Sequence, residues 1–318
     1  MTDATPDTEL LSFTPTGKQW AWDSTSLSAW TRCPRYYQLS VLQGWTSATP
    51  SPHLWFGGLY AKALETYHKL RAQGMDDTAA THSVVRDAMI SSWDHDLTPE
   101  GERIPGTGQA HETGNANKTR DTLIRSIVWY LDHFRDDPME TVILPSGEAA
   151  AELSFSFDLT DQITYCGHID RLVSYNGSVM VQDQKTSGST ITARYFDGFS
   201  PDIQMSGYTL AGKIIFGNPI AGVVIDAAQI AVGFTAFSRG FTQRSDAQLE
   251  EWRGMAIASI RDAERAHEED AFPMRPTSCD MYGGCLFRRV CSRHPEHRPA
   301  ILAADFVKRE RWDPIRRR

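Results

Sequence analysis

The sequence predicts an α/β protein with an N-terminal helical part. Three observations carry that reading. Residues 53–135 hold apolar side chains at helical spacing. The pattern then changes to period two, and Asn176-Gly177 separates two runs rich in β-branched and apolar residues. Beyond residue 200 a helical stretch, two strand-like runs and a second helical stretch follow. That order suits a sheet covered by helices.

Taken along the chain, residues 1–20 are polar and acidic and read as disordered. Ser24 or Ser26 can cap a short helix with Leu27 and Trp30 on its apolar side, broken at Pro34 after Cys33. Gly57-Gly58 opens an amphipathic helix carrying Leu59, Ala63, Glu65, Tyr67 and Leu70. Further helices are predicted over 78–96 and 118–135, separated by a Gly- and Pro-rich loop at 97–118. A strand is predicted over 148–159, then the hairpin of 163–175 and 178–185. Residues 192–201 read as a loop, 201–216 as a helix begun by Asp202, and 223–230 and 232–241 as strands. Ser245 with Gln248 forms a capping box for a long helix to about residue 268. The organisation is a disordered 1–20, a helical part at 21–140, an α/β core at 141–270, a cysteine segment at 271–298 and a basic tail at 299–318.

Composition narrows the function. Across 318 residues the net charge is −8, which argues against a protein that coats nucleic acid. An enzyme with its basic residues confined to a groove remains compatible. The chain has no apolar run of membrane-spanning length, and the polar N-terminus lacks the order of a signal peptide, so a cytoplasmic location without membrane contact is expected. Five cysteines are few and odd in number, so a disulfide framework is not expected.

The chemistry gathers on the hairpin. Asn176-Gly177 favours a two-residue turn because both positions need positive φ. Tyr175 then faces Ser178, Asp170 faces Asp183, and His168 faces Lys185. Alternation places Asp170, Asp183 and Lys185 on one face. Opposed carboxylates repel, and a divalent cation between them removes the repulsion; hard oxygen donors suit Mg²⁺ or Mn²⁺. The Gln184 carbonyl can add an oxygen, and Lys185 can orient or deprotonate a water. The alternative is a solvated polar face. His168 can contact substrate or remain a hydrogen-bonded strand residue, and Arg171 reads as the structural partner of an acid. His68 reads as a surface histidine or, less readily, as a group reaching the metal from the Glu65 helix, and Cys166 as a small core residue rather than a ligand. Arg32, Arg35, Tyr36 and Tyr37 can form a strand-binding platform or pack ordinarily. The tail residues Lys308, Arg309, Arg311 and Arg316 to Arg318 can contact phosphate or solvate the chain end.

Cys279, Cys285 and Cys291 are each six apart, and Cys33 lies far upstream. Four thiolates suit a 4Fe–4S cluster or zinc, with unliganded cysteines as the third possibility. The paired short-spaced knuckles usual for zinc are absent.

G-H-I-D-R at 167–171 and V-Q-D-Q-K-T-S at 181–187 resemble the two catalytic strands of the PD-(D/E)xK nuclease superfamily. Gln204-x-x-x-Tyr208 resembles the helix motif of its RecB-like branch, which includes CRISPR-associated and phage-encoded exonucleases, and W-F-G-G-L-Y-A-K-A-L-E at 55–65 resembles its N-terminal helix motif. The resemblance spans residues 24–292. It implies a restriction-endonuclease-like central mixed sheet flanked by helices. It implies Mg²⁺ or Mn²⁺ held by Asp170, Asp183, Glu65 and the Gln184 carbonyl, with Lys185 at the attacking water. DNA contacts would come from Gln204, Tyr208 and His168. Cys33, Cys279, Cys285 and Cys291 would bind a 4Fe–4S cluster. The implied activity is a DNA exonuclease acting on single strands or ends in repair, recombination or phage DNA processing, with a recombination or CRISPR partner protein. The sequence departs from the family at Ala61, where a metal-binding histidine is usual; Glu65 stands one turn later. A catalytically attenuated DNA-binding module and a structure-specific endonuclease are the alternatives.

Overall fold

The computed structural model describes residues 12–99, 102–104, 106–216 and 220–315. The expected disorder of the first eleven residues and the arginines at 316–318 lie outside them. In chain order the elements are β1 (Ala21–Trp22), α1 (Ser24–Arg32), α2 (Pro34–Tyr37), β2 (Trp45–Ser47), α3 (Pro52–Ala72), α4 (Asp77–Ser91), β3 (Trp93–Asp94), β4 (Gln109–Ala110), α5 (Arg120–His133) and β5 (Glu140–Thr141). There follow β6 (Ala151–Thr160), β7 (Ile163–Tyr175), β8 (Ser178–Ser187), α6 (Ala193–Asp197), α7 (Ile203–Phe216), β9 (Ile220–Ile230), β10 (Thr235–Thr242), α8 (Asp246–Glu268), α9 (Arg288–Cys291), α10 (Arg298–Asp305) and β11 (Phe306–Lys308). The fold is mixed α/β, a central mixed sheet flanked by helices.

The chain divides into two compact units. One comprises Pro50–Leu153 and His168–Arg244; the other comprises Met1–Thr49, Ser154–Gly167 and Ser245–Arg318. In the first unit β7 and β8 pair antiparallel, from Tyr175 opposite Ser178 to Arg171 opposite Gln182. Asn176 at φ 49° and Gly177 at φ 76° make the turn that the dipeptide predicts. The helix α7 carries the chain from β8 to β9, which runs parallel to β8, as a crossover must. An antiparallel β10 closes that edge. The helices α3, α4 and α5 bury Phe56, Leu64, Val84, Leu123 and Ile127 together with Ala228 and Ile230 of β9. Each large apolar side chain so buried contributes roughly 1.5–3 kcal/mol. In the second unit β1 pairs parallel with the first residues of β7. There Tyr37 stacks on Trp22 at 5.3 Å, and Leu39, Phe287, Val290 and Leu302 form a separate cluster.

Several local expectations are corrected. Asp23, not Ser24 or Ser26, caps α1: its Oδ1 accepts from Ser26 N while Ser26 Oγ accepts from Asp23 N. The helix α3 starts at Pro52, five residues before Gly57, because proline at the first position is preorganised for a helix. The loop expected at 192–201 contains the short helix α6. The start of β10 shifts to Thr235 because Ala231 N bonds Phe234 O and closes a turn. Met205 N bonds the Asp202 side chain at the start of α7, as predicted for that aspartate.

Candidate active site

All of the hairpin chemistry lies in the first unit. The β7–β8 ladder keeps the predicted register up to Arg171 and Gln182. There the β7–β8 ladder ends, while β8 keeps the parallel pairing with β9 that it has from Val179 onward, with Asp183 beside Ile225 and Gln184 beside Asp226. The Asp170 side chain continues the contact beyond that end: its Oδ2 accepts from the Gln184 amide at 2.9 Å.

Asp183 is only 1% exposed. Its close partner is the Lys185 ammonium, 2.5 Å from Oδ2, and among the described residues Oδ1 has no hydrogen-bond partner. Burial, and then the Asp183 charge, push the Asp170 carboxyl up to about 7. Burial raises Asp183 too, against the pull of Lys185. Burial works against the Lys185 ammonium, yet Asp183 and Asp170 outweigh it and raise its pKa. Lys185 Nζ also donates to Gln204 Oε1 at 3.0 Å, and Gln204 Nε2 donates to the Tyr208 hydroxyl at 2.9 Å. The four-residue spacing on α7 makes that relay possible.

Glu65 stands apart from this relay. Its carboxylate is held by Lys62 at 2.9 Å and by Lys69 at 2.6 Å. Burial opposes its ionisation, but the two lysines outweigh burial and hold the carboxyl below its usual range. Its charge still reaches Glu152, which sequence reading missed. Glu152 adopts a left-handed φ of 55° at the start of β6, where a non-glycine residue is strained. Partial burial, then Glu65, raise its pKa, and its own charge adds to the rise at Asp170. Nothing in its local sequence marks it. His168 is half-buried, and its charge is felt at Glu152. Tyr195 was missed as well: burial raises its pKa, and the Lys185 and Asp183 charges also act on it. The aromatic run Tyr195-Phe196, so soon after the lysine strand, was the available signal.

Among the described residues no three His, Cys, Asp or Glu side chains form a ready metal-binding group. The fit of a divalent cation therefore rests on two carboxylates, Asp170 and Asp183. Their charges repel, and among the described residues Asp183 keeps a buried oxygen without a hydrogen-bond partner. Hard donors with uncompensated charge are what Mg²⁺ or Mn²⁺ takes.

The other sequence candidates resolve variously. His68 is half-buried rather than freely exposed: its Nε2 stands 2.7 Å from Arg171 Nη1, and burial, then Arg171, lower its pKa well below the usual value. Arg171 is only 3% exposed, and its partners are His68 and the Met139 carbonyl rather than an acid. In the second unit Tyr37 is buried, with its hydroxyl on Gln19, and Tyr36 lies edge-on to Phe287 beneath Arg32, so both tyrosines pack. Cys166 is a buried thiol pushed up to about 12 by burial.

The remaining four cysteines are free and lie in the second unit. Cys33, between α1 and α2, accepts from Arg275 N through sulfur at 3.4 Å. Cys285 N donates to Cys279 O at 2.8 Å. Burial raises the Cys291 thiol, Arg35 opposes that rise, and the charges of Cys285 and Cys33 add to it.

Residues 22–292 match the family model of the PD-(D/E)XK nuclease superfamily. No curated protein matches the chain. Among solved structures, a candidate exonuclease from Eubacterium rectale is similar at 12% identity and a TM-score of 0.47, over 88% of this chain and 92% of the other. SSO0001 is similar at 13% identity and a TM-score of 0.25, over 43% of this chain and 60% of its own. At these TM-scores neither neighbour speaks to the chemistry.

Proposed function

Because the chain belongs to the PD-(D/E)XK nuclease superfamily, we propose that it is a metal-dependent DNA exonuclease acting on single strands or DNA ends. The observation that carries the reading is Asp183. It is a buried carboxylate whose Oδ1 has no hydrogen-bond partner among the described residues, within electrostatic reach of Asp170 and ion-paired to Lys185. Nucleases of this superfamily typically use divalent metals, and Asp170, Asp183 and the Gln184 carbonyl would hold one here. The bound cation supplies Lewis-acid charge and a water of lowered pKa. Lys185, fixed between Asp183 and Gln204, presents N–H donors to the attacking water or the phosphate. Tyr208 restrains Gln204 and so the direction in which Lys185 points. His168 and Gln204 would border the strand. Processing of ends in repair, recombination or phage replication is the setting this reaction fits.

Asp183→Ala is expected to lower Mg²⁺- or Mn²⁺-dependent cleavage by about a thousandfold or more while the protein stays folded. Cleavage of end-labelled linear DNA, compared with a circular single strand, checks both parts. Undiminished cleavage by the variant would sink the site, and equal cleavage of the circle would replace the exonuclease by an endonuclease. A second reading, an attenuated DNA-binding module, is favoured by one observation: Ala61 supplies no ligand, and Glu65 is engaged by two lysines.

Cys33, Cys279, Cys285 and Cys291 are proposed as ligands of a 4Fe–4S cluster, with zinc the lesser choice. The soft thiol donors are the ground for it, with Cys291 within electrostatic reach of Cys285 and Cys33; among the described residues no three of these thiols already form a metal-binding group. Protein purified without oxygen should be brown and hold iron and sulfide in equal amounts; a colourless zinc protein would refute the cluster.

A further inference from the structure

The nuclease reading leaves unused the short helix α6, between the lysine strand β8 and α7. The sheet register shows which face α6 covers. Gly240 of β10 is paired with Ile225 of β9, and Ile225 is paired with Asp183 of β8. Side chains in one row of a sheet share a face. Gly240 therefore opens on the face that carries Asp183, two strand spacings or roughly 10 Å away.

Phe196 of α6 fills the space above Gly240. A Cβ added there would stand 2.1 Å from the Phe196 ring, so only glycine admits this approach. Beyond both ends of the helix the chain is also tied. Ile191 N donates to Gln229 Oε1 at 3.0 Å, and Arg244 Nη2 donates to Phe199 O at 2.6 Å. Arg244 also donates to Ser206 Oγ in α7. The segment is thus tied at the surface over the face that carries Asp183, with Tyr195, Phe196 and Phe199 turned partly inward.

Tyr195 sits in this segment, half-buried, with its ring edge-on to Phe196 at 5.3 Å and to Phe199 at 5.4 Å. Among the described residues no side chain or backbone group bonds its hydroxyl. Lys185 and Asp183 lie within electrostatic reach of that hydroxyl. An aromatic anchor, two ties and a glycine hold one phenol within reach of Lys185 and Asp183.

We propose that Tyr195 is a substrate-binding residue whose hydroxyl donates a hydrogen bond to the phosphodiester held at Asp170, Asp183 and Lys185. The role is binding rather than proton transfer. This inference rests on the nuclease reading, and its test separates the two. Affinity for a fluorescent single-stranded oligonucleotide is measured by anisotropy with Ca²⁺ in place of Mg²⁺, beside kcat and KM with Mg²⁺. Tyr195→Phe keeps the ring and is expected to weaken binding about tenfold, as loss of a hydrogen bond to a charged group does, with KM rising more than kcat falls. Gly240→Ala, which displaces Phe196, should weaken binding in the same direction, and thermal melting confirms that it folds. Tyr195→Phe binding and cleaving like wild type overturns the proposal, and so does weakening confined to Tyr195→Leu, which would assign the ring and not the hydroxyl. Wild-type protein that neither binds nor cleaves the strand overturns the nuclease reading along with it.

Discussion

The two faces of the β7–β8 pair are built from neighbouring residues and solve opposite problems. On one face Asp170, Asp183 and Lys185 leave acid in excess: two buried carboxyls share one ammonium, and burial with the Asp183 charge raises the Asp170 pKa to about 7. On the other face the charges balance, Asp137 and Asp226 against Arg171 and Arg239, although among the described residues Asp226 Oδ1 also lacks a hydrogen-bond partner. Asp226 accepts from Tyr130 at 2.5 Å, from Gln182 at 2.6 Å and from Arg239 at 3.2 Å. Arg239 also forks onto both oxygens of Asp137, at 2.8 and 2.7 Å. A single residue step, from 170 to 171 or from 183 to 182, moves a side chain from one regime to the other. The matched face is architecture. The unmatched face keeps uncompensated charge, which a cation can use.

The largest effect should come from breaking the matched face. Arg239→Met leaves Asp137 and Asp226 buried without the Arg239 countercharge, and uncompensated buried charge costs about 3–5 kcal/mol. Urea unfolding should show that loss, with cleavage per folded molecule retained. Asp183→Asn should do the reverse, leaving the melting temperature at or above wild type while cleavage disappears. A stability loss in Asp183→Asn as large as that of Arg239→Met would end the distinction between the faces.

A smaller, pH-dependent effect follows from Asp170. Its folded pKa is raised to about 7, so between the ordinary carboxylate range and about pH 7 the folded protein holds a proton that the unfolded chain releases. Stability without metal therefore falls as pH rises through that window, and the full penalty is present above it. A cation that needs the ionised pair reverses the trend: Mn²⁺ should bind more weakly as pH drops below about 7. Melting temperatures from pH 5 to 8.5, with and without Mn²⁺, check both slopes. A metal-free protein that gains stability with pH in this range would contradict the repulsion.

The legible part of this site is local. Asn176-Gly177 fixes the turn, the turn fixes the register, and the register places Asp170 near Asp183 and Lys185 on their face. Gln204 and Tyr208 are legible from helical spacing alone. The end of the β7–β8 ladder at Arg171 and Gln182 was not, because a turn dipeptide sets the register of a hairpin and not how far its pairing runs. Glu152 was hidden for a related reason: its charge reaches Asp170 only through the folded sheet, and no local motif announces its left-handed backbone. Arg171 was read as the partner of an acid, yet the nearby acids are taken by Arg239, a residue 68 positions later in the chain. Long-range competition for partners decides such cases, and period and propensity do not encode it.

The smallest expected effect concerns Glu65, which belongs fully to neither face. Its ion pairs with Lys62 and Lys69 are partly exposed, and such pairs contribute about 0.2–1 kcal/mol each. As a metal ligand it would first have to leave them. Glu65→Gln is therefore expected to weaken Mn²⁺ binding by less than about tenfold, equivalent to under about 1.4 kcal/mol, whereas Asp170→Asn should weaken it far more. Calorimetric titration of Mn²⁺ into the two variants makes the comparison directly. Equal losses would place Glu65 in the ligand set beside Asp170, and the two lysines would then be holding a ligand in reserve rather than a surface acid.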